Sequence, residues 1–172
     1  MGRLKRIKRT FCIWIINSFL SGTHFFELKR LLLRAAGIPC GVGSKVVGPV
    51  YLGNVARVRI GSNVWVGTRF AVYGNGSVTL GDDIDIAPEV AFLTGSHEMV
   101  EGPLHTHTHR AGKGVSFHIE VGNGTWIGAR STIMGNTTIG DGCVIAVGAV
   151  VNRTVGTNMV VGGVPARSVR KV

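Results

Sequence analysis

From about residue 58 the chain repeats itself every six residues, and that beat admits few folds. An aliphatic residue followed by a small one recurs at Ile60-Gly61, Val66-Gly67, Leu80-Gly81 and Ile86-Ala87. After an interruption the pattern returns at Val121-Gly122, Ile127-Gly128, Ile133, Ile139-Gly140, Ile145-Ala146 and Val151. Four residues after each start stands a small or apolar residue: Val64, Phe70, Ile84, Val90, Thr125, Ser131, Thr137, Cys143 and Ala149. Neither the 3.6 period of a helix nor hairpin alternation produces this spacing. It is the mark of a β-helix, in which each short strand stacks on its equivalent one coil away. The aliphatic residue fills an interior column, the small one lets the chain turn, and the fourth packs inside the corner. No coil buries its apolar face alone, so stability comes from stacking. Trp65, Trp126 and Arg130 fall on positions that point outward. The 26 glycines suit a chain of many tight corners and follow no collagen-like period.

A chain of 172 residues accommodates one domain and an appendage, divided here as a basic, apolar helical segment over 1–38 and the repeat domain over 39–172. The formal charge of +10 is concentrated in the first part. Arg3, Lys5, Arg6, Lys8, Arg9, Lys29, Arg30 and Arg34 stand against the single acid Glu27. A nucleic-acid binder spreads its basic groups over the folded domain, so this terminal block argues against that class. Phe11–Leu20 is mostly apolar but about half the ~20 residues that cross a bilayer, and no A-x-A-like cleavage site follows it. Two readings stand for residues 1–36: a helical cap on the core or on a neighbouring subunit, or a peripheral membrane contact made by Phe11, Trp14, Ile15 and Phe19 with the basic residues. Gly37 and Pro39 stop the helical region. Cys12, Cys40 and Cys143 have neither metal-ligand nor disulfide-framework spacing, which points to the reducing cytoplasm. Cys143 falls on an inward corner and reads as a small core residue.

The beat breaks after Phe92, and residues 93–118 form a long excursion. Such an insertion in a compact repeat is usually functional. His97 stands at its start, in TGSHE. An imidazole, with an ordinary pKa near ~6.5, is suited to accept a proton at neutral pH; a loop histidine that only hydrogen-bonds locally is the plainer alternative. His105, His107 and His109 share one face if that stretch is extended, but they lie off the coils, and no metal is expected. Glu98 and Glu101 either tune His97 or are solvated.

The chain resembles the hexapeptide-repeat acyltransferases, above all the maltose- and galactoside-type and polysaccharide O-acetyltransferases. The resemblance covers about residues 40–172 and rests on IAPEVAFLTGSHE (86–98), GNGTWIGARSTIMGNTTIGDGCVIAVGAVVNRTV (122–155) and GGVPARSVR (162–170). It implies an all-β left-handed parallel β-helix of prism shape, three hexapeptides per coil, assembled as a homotrimer with active sites between subunits. It further implies an O-acetyltransferase that moves acetyl from acetyl-CoA to a hydroxyl of a sugar or glycan.

The resemblance makes His97 the general base, acting in a ternary complex without an acyl-enzyme. It lays pantetheine against Trp126, Gly128, Ala129, Ala146 and Val147, and the adenosine end near Asn152 and Arg153. Arg167 and Arg170 then meet phosphate, for which a guanidinium is a forked, always-charged donor. Two acceptor positions depart from the family pattern: Asn75 replaces a carboxylate that contacts substrate, and Gly67 replaces an asparagine assigned to the oxyanion. Arg69 either meets an acidic sugar or a pyrophosphate or is solvated. If residues 1–36 touch a membrane, a lipid-linked saccharide is a natural acceptor. Other readings keep the fold but change the acceptor to an amino group or an amino-acid hydroxyl, lengthen the acyl chain, or make the chain an inactive scaffold.

Overall fold

The computed structural model describes residues 2–99 and 111–172. Glu101, His105, His107, His109 and the side chain of Glu98 lie outside what it describes. Helices α1 (Arg3–Phe19) and α2 (Phe26–Ala35) come first. The coils follow as β1 (Lys45–Val46), then β2 (Arg57–Ile60), β3 (Trp65–Val66) and β4 (Ala71–Tyr73), then β5 (Ser77–Leu80), β6 (Asp85–Ile86) and β7 (Ala91–Leu93). There the chain leaves the stack through β8 (Gly95–Met99) and returns through β9 (Ala111–Ser116). Two more coils follow: β10 (His118–Val121), β11 (Trp126–Ile127) and β12 (Thr132–Met134), then β13 (Thr137–Ile139), β14 (Val144–Ile145) and β15 (Val150–Val151). A hairpin of β16 (Met159–Gly163) and β17 (Ala166–Lys171) ends the chain.

Equivalent strands pair in parallel into three faces. The first runs β1-β3-β6-β11-β14-β16 with β17 added antiparallel, the second β4-β7-β12-β15, the third β2-β5-β10-β13. Each aliphatic column of the six-residue beat lies inside: Val66, Ile86, Ile127 and Ile145 stack in register on the first face, and all are buried. The fourth-position residues are buried too, and Phe70 meets Phe92 edge to face at 5.2 Å.

The coil begins earlier than the beat legible from residue 58. Cys40 bridges Ile60, Lys45–Val46 pairs Trp65–Val66, and Tyr51 bridges Ala71. This first turn has only one two-residue strand, so no repeat announces it. Burial pushes the Cys40 thiol up to about 11. All three cysteines are buried and free, and the Cys143 thiol donates to the Gly156 carbonyl at 3.0 Å, as a small corner residue should.

Coil stacking leaves no room at some small positions. A Cβ on Gly61 would lie 2.1 Å from the Gly81 carbonyl oxygen, a backbone atom that cannot turn aside. Gly61→Ala is therefore expected to lower stability by about 1–3 kcal/mol, the usual effect of overpacking, read as a lower midpoint in urea. An unchanged midpoint would show that the coils separate freely at this edge.

The helical segment caps the N-terminal end of the prism. Cys12 and Ile16 of α1 and Leu33 of α2 enter the core. Basic side chains fasten the helices to their surroundings: Arg9 Nη2 donates to the Leu52 carbonyl at 2.5 Å, Arg34 Nε to Cys40 at 2.8 Å and Lys29 Nζ to Gly22 at 2.6 Å. Asn17 exchanges two hydrogen bonds with the backbone of Val50. Burial lowers the pKa of both Arg9 and Lys29, and each of these cations meets a backbone carbonyl.

Candidate active site

The excursion after Phe92 is a closed arm. Its ends meet where the Phe117 N–H donates to the Thr94 carbonyl at 2.8 Å. The buried Thr94 hydroxyl donates to the Tyr73 carbonyl at 2.8 Å and accepts from the Gly76 N–H at 3.2 Å. The arm thus leaves and rejoins at one point, and β10 pairs with β5 as though nothing intervened. What sequence reading takes as a loop is, where described, an antiparallel ribbon with His97 opposite Gly114. Gly114 has open space where a Cβ would stand, and His97 is exposed.

His97 lines a cleft of about 320 Å³ with Ser96, Gly95, Gly114, Val115, Gly74 and Asn75. Asn75 comes from the corner between β4 and β5, where Gly74 has φ +98° and a Cβ on Gly76 would strike the Phe117 carbonyl. The tight corner turns the amide of Asn75 toward the foot of the arm. A titratable imidazole and a carboxamide that both donates and accepts therefore share one cleft. Ser96 and Val115 are additional lining residues. The arm lacks the repeat, so no spacing singled them out.

The other expected residues lie elsewhere. Strand register aligns Gly67, Gly128 and Ala146 along the edge between the first and second faces. Ala129 and Val147 are the next residues along the same edge, where the Gly148 N–H donates to the Ala129 carbonyl at 2.9 Å. The Gly67 N–H donates to the Ile86 carbonyl at 2.7 Å, and a Cβ there would sit 2.6 Å from the Ala87 carbonyl carbon. Arg69 belongs to a ladder on this edge: Glu89 accepts from Arg69 Nη1 at 3.2 Å and from Arg130 Nε at 2.8 Å. The Arg130 guanidinium first, and Arg69 second, hold the Glu89 carboxyl below its ordinary range. All three residues have left-handed backbone, with φ of 59°, 63° and 58°.

Trp126 projects from β11, 52% exposed, and shares a row across the first face with Val144, Val160 and Arg170. Three strand spacings separate Trp126 from Arg170, roughly 14 Å. Arg153 and Arg167 meet in a cleft of 310 Å³ at the C-terminal end, lined also by Met159 and Ser168. Asn152 is exposed immediately before Arg153. Larger clefts of 750 and 570 Å³ border the third face near Arg34, Cys40, Arg59 and His118, and none of the expected site residues lines them. Among the described residues no His, Cys, Asp and Glu side chains gather into a metal-holding group.

The single prism therefore separates two parts of the expected site. His97 and Asn75 stand at the edge between the second and third faces, and the Gly128–Val147 row stands at the edge between the first and second.

Comparison with known proteins gives this arrangement a family. The model described as bacterial transferase hexapeptide (six repeats) matches residues 118–153. Galactoside O-acetyltransferase of Escherichia coli is 32% identical over 146 residues, 85% of this chain and 70% of that protein. The solved structure of a galactoside acetyltransferase in complex with coenzyme A superposes with a TM-score of 0.80 at 27% identity, over 98% of this chain and 80% of the other. A hexapeptide-repeat acetyltransferase of Vibrio cholerae, complexed with acetyl-coenzyme A, gives 0.81 at 27% identity, over 98% and 87%. The β-helix is accordingly left-handed, and the chain belongs to the hexapeptide-repeat acetyltransferases, the family of galactoside O-acetyltransferase.

Proposed function

We propose that the protein transfers acetyl from acetyl-CoA to a hydroxyl of a sugar or glycan, with His97 as general base. The observation that carries this reading is the shared cleft of His97 and Asn75 at the foot of the arm, in a chain of this family. The acceptor hydroxyl gives its proton to the imidazole while its oxygen attacks the thioester carbonyl carbon. The tetrahedral intermediate expels the CoA sulfur, which takes the proton back from the imidazolium and leaves as thiol. No acyl-enzyme forms. Asn75 orients the acceptor through its amide. Gly67 has no side chain to offer the oxyanion, and its N–H is engaged with Ile86, so stabilisation of the oxyanion falls to other donors.

Pantetheine lies along the edge of Gly128, Ala129, Ala146 and Val147, with Trp126 beside it. Asn152, Arg153, Arg167 and Arg170 receive the nucleotide end, where guanidinium groups pair with phosphate. Arg69 contacts an acidic group on the acceptor only by giving up Glu89. Because the base and the thioester edge lie on different edges of one prism, the complete site forms between adjacent subunits of a homotrimer. The reaction runs in the cytoplasm, the compartment that supplies acetyl-CoA; no helix among the described residues is long and apolar enough to cross a membrane.

The test is acceptor-dependent release of CoA thiol from acetyl-CoA, with free sugars, nucleotide sugars and lipid-linked oligosaccharides in separate arms. Turnover with a hydroxyl acceptor is expected, and the product should be an O-acetyl ester. Turnover with amines alone would replace this reading by N-acetylation. Absence of both turnover and acetyl-CoA binding would make the chain a scaffold.

A further inference from the structure

Helix α1 carries two apolar faces, and the fold uses one. Cys12 and Ile16 point into the core, and the buried Arg9 on the same side reaches Leu52. On the opposite side Leu4, Ile7, Phe11 and Trp14 recur at helical spacing, and all four are exposed. Phe11 and Trp14 stack at 5.9 Å, and Trp14 meets the exposed Phe19 at 5.4 Å. At 3.6 residues per turn, Lys8 borders this stripe on one side and Arg3, with Arg6 beyond it, on the other, while Lys5 falls on the side of Cys12 and Ile16. All four cations are exposed, and α1 contains no acidic residue.

This charge placement is unfavourable for a helix that faces water alone. The positive end of the helix dipole is stabilised by acids, yet the first turn of α1 holds none, and Gly2 supplies no side-chain cap. An anionic surface reverses the sign of that effect. Apolar and aromatic side chains between two cationic borders match the headgroup layer of a bilayer, in which rings insert and cations meet lipid phosphates. Nucleic acid offers phosphates but no apolar layer for the stripe. A second copy of the helix would offer an apolar face but bring like charges together.

We propose that α1 docks the protein peripherally on an anionic lipid bilayer, with Leu4, Ile7, Phe11 and Trp14 immersed and Arg3, Arg6 and Lys8 at the phosphates. The inference stands independently of the acetyl-transfer reading. If both hold, the prism is held at a surface where lipid-linked acceptors are presented.

The experiment is flotation of the full-length protein with vesicles of phosphatidylcholine, with and without one-third phosphatidylglycerol. Binding to the anionic vesicles is expected, and it should weaken as salt screens the surface. Phe11→Ser with Trp14→Ser changes only exposed rings and should reduce partitioning roughly tenfold or more. Arg3→Gln with Arg6→Gln and Lys8→Gln should reduce it on the order of a hundredfold. Both variants should keep the circular dichroism spectrum of the parent and its turnover with a soluble acceptor. Failure of the parent to float with anionic vesicles overturns the proposal, as does equal binding to neutral ones. So does a parent that stays off vesicles while the Phe11/Trp14 variant shifts the sedimentation coefficient, since the stripe would then be a contact between copies.

Discussion

His97→Ala lowers kcat for acetyl transfer by about 10²–10⁴-fold, the range supplied by a positioned general base, while acetyl-CoA binds nearly as before. The split follows from geometry. His97 lines the cleft at the foot of the arm with Asn75, whereas Gly128 and Ala146 lie in register on another edge of the prism. Removing the imidazole takes away the proposed proton acceptor and leaves the proposed acetyl-CoA edge untouched. Acceptor-dependent thiol release measures the first quantity and titration calorimetry with acetyl-CoA the second. Stability should hold, because His97 is exposed on a ribbon whose ends close independently of it. Turnover that survives the substitution ends the general-base assignment. Loss of acetyl-CoA binding alongside turnover would instead place His97 on the donor.

Phe92→Ala has the largest expected effect on stability. Phe92 is fully buried, stands in register between Val72 and Ile133, and packs edge to face with Phe70 at 5.2 Å. Truncating a buried Phe typically costs about 3–5 kcal/mol, from lost transfer energy and the cavity left behind. In a β-helix each coil is supported only by its neighbours, so the loss falls between the coils on either side of the arm. A denaturation midpoint measured beside that of Tyr73→Ala provides the control, since Tyr73 lies on the outside of the same face. Equal, small losses in both would mean that the interior columns do not carry the fold.

The interior was legible because each column repeats the same burial. Ile127, Ile133 and Ile139 occupy equivalent places on three faces, and a step of six residues brings each to the inside. The first coil was harder to read. Cys40, Val46 and Leu52 are buried and keep the step of six, but β1 is only two residues long and bridges complete the turn. The arm carries no period at all, so sequence suggests a loop where β8 and β9 pair. From sequence, Arg69 reads as a contact for an acidic sugar or a pyrophosphate, or as solvated. Its place in a ladder with Glu89 and Arg130 depends on residues 20 and 41 positions apart in sequence.

By itself, then, the amino-acid order determined that the chain coils, which side chains face inward, that an excursion interrupts the stack at Phe92, and that a histidine opens it. Each of these is periodicity, or a break in it, and periodicity is local. Only the tertiary structure decided that the excursion closes at Thr94 and Phe117, that Asn75 joins His97 in one cleft, and that the Gly128 row runs along a different edge. It also decided which side of α1 is spent on the core, leaving Phe11 and Trp14 outside. Those outcomes depend on which coil lies beside which, a relation between distant residues that no short stretch of chain encodes.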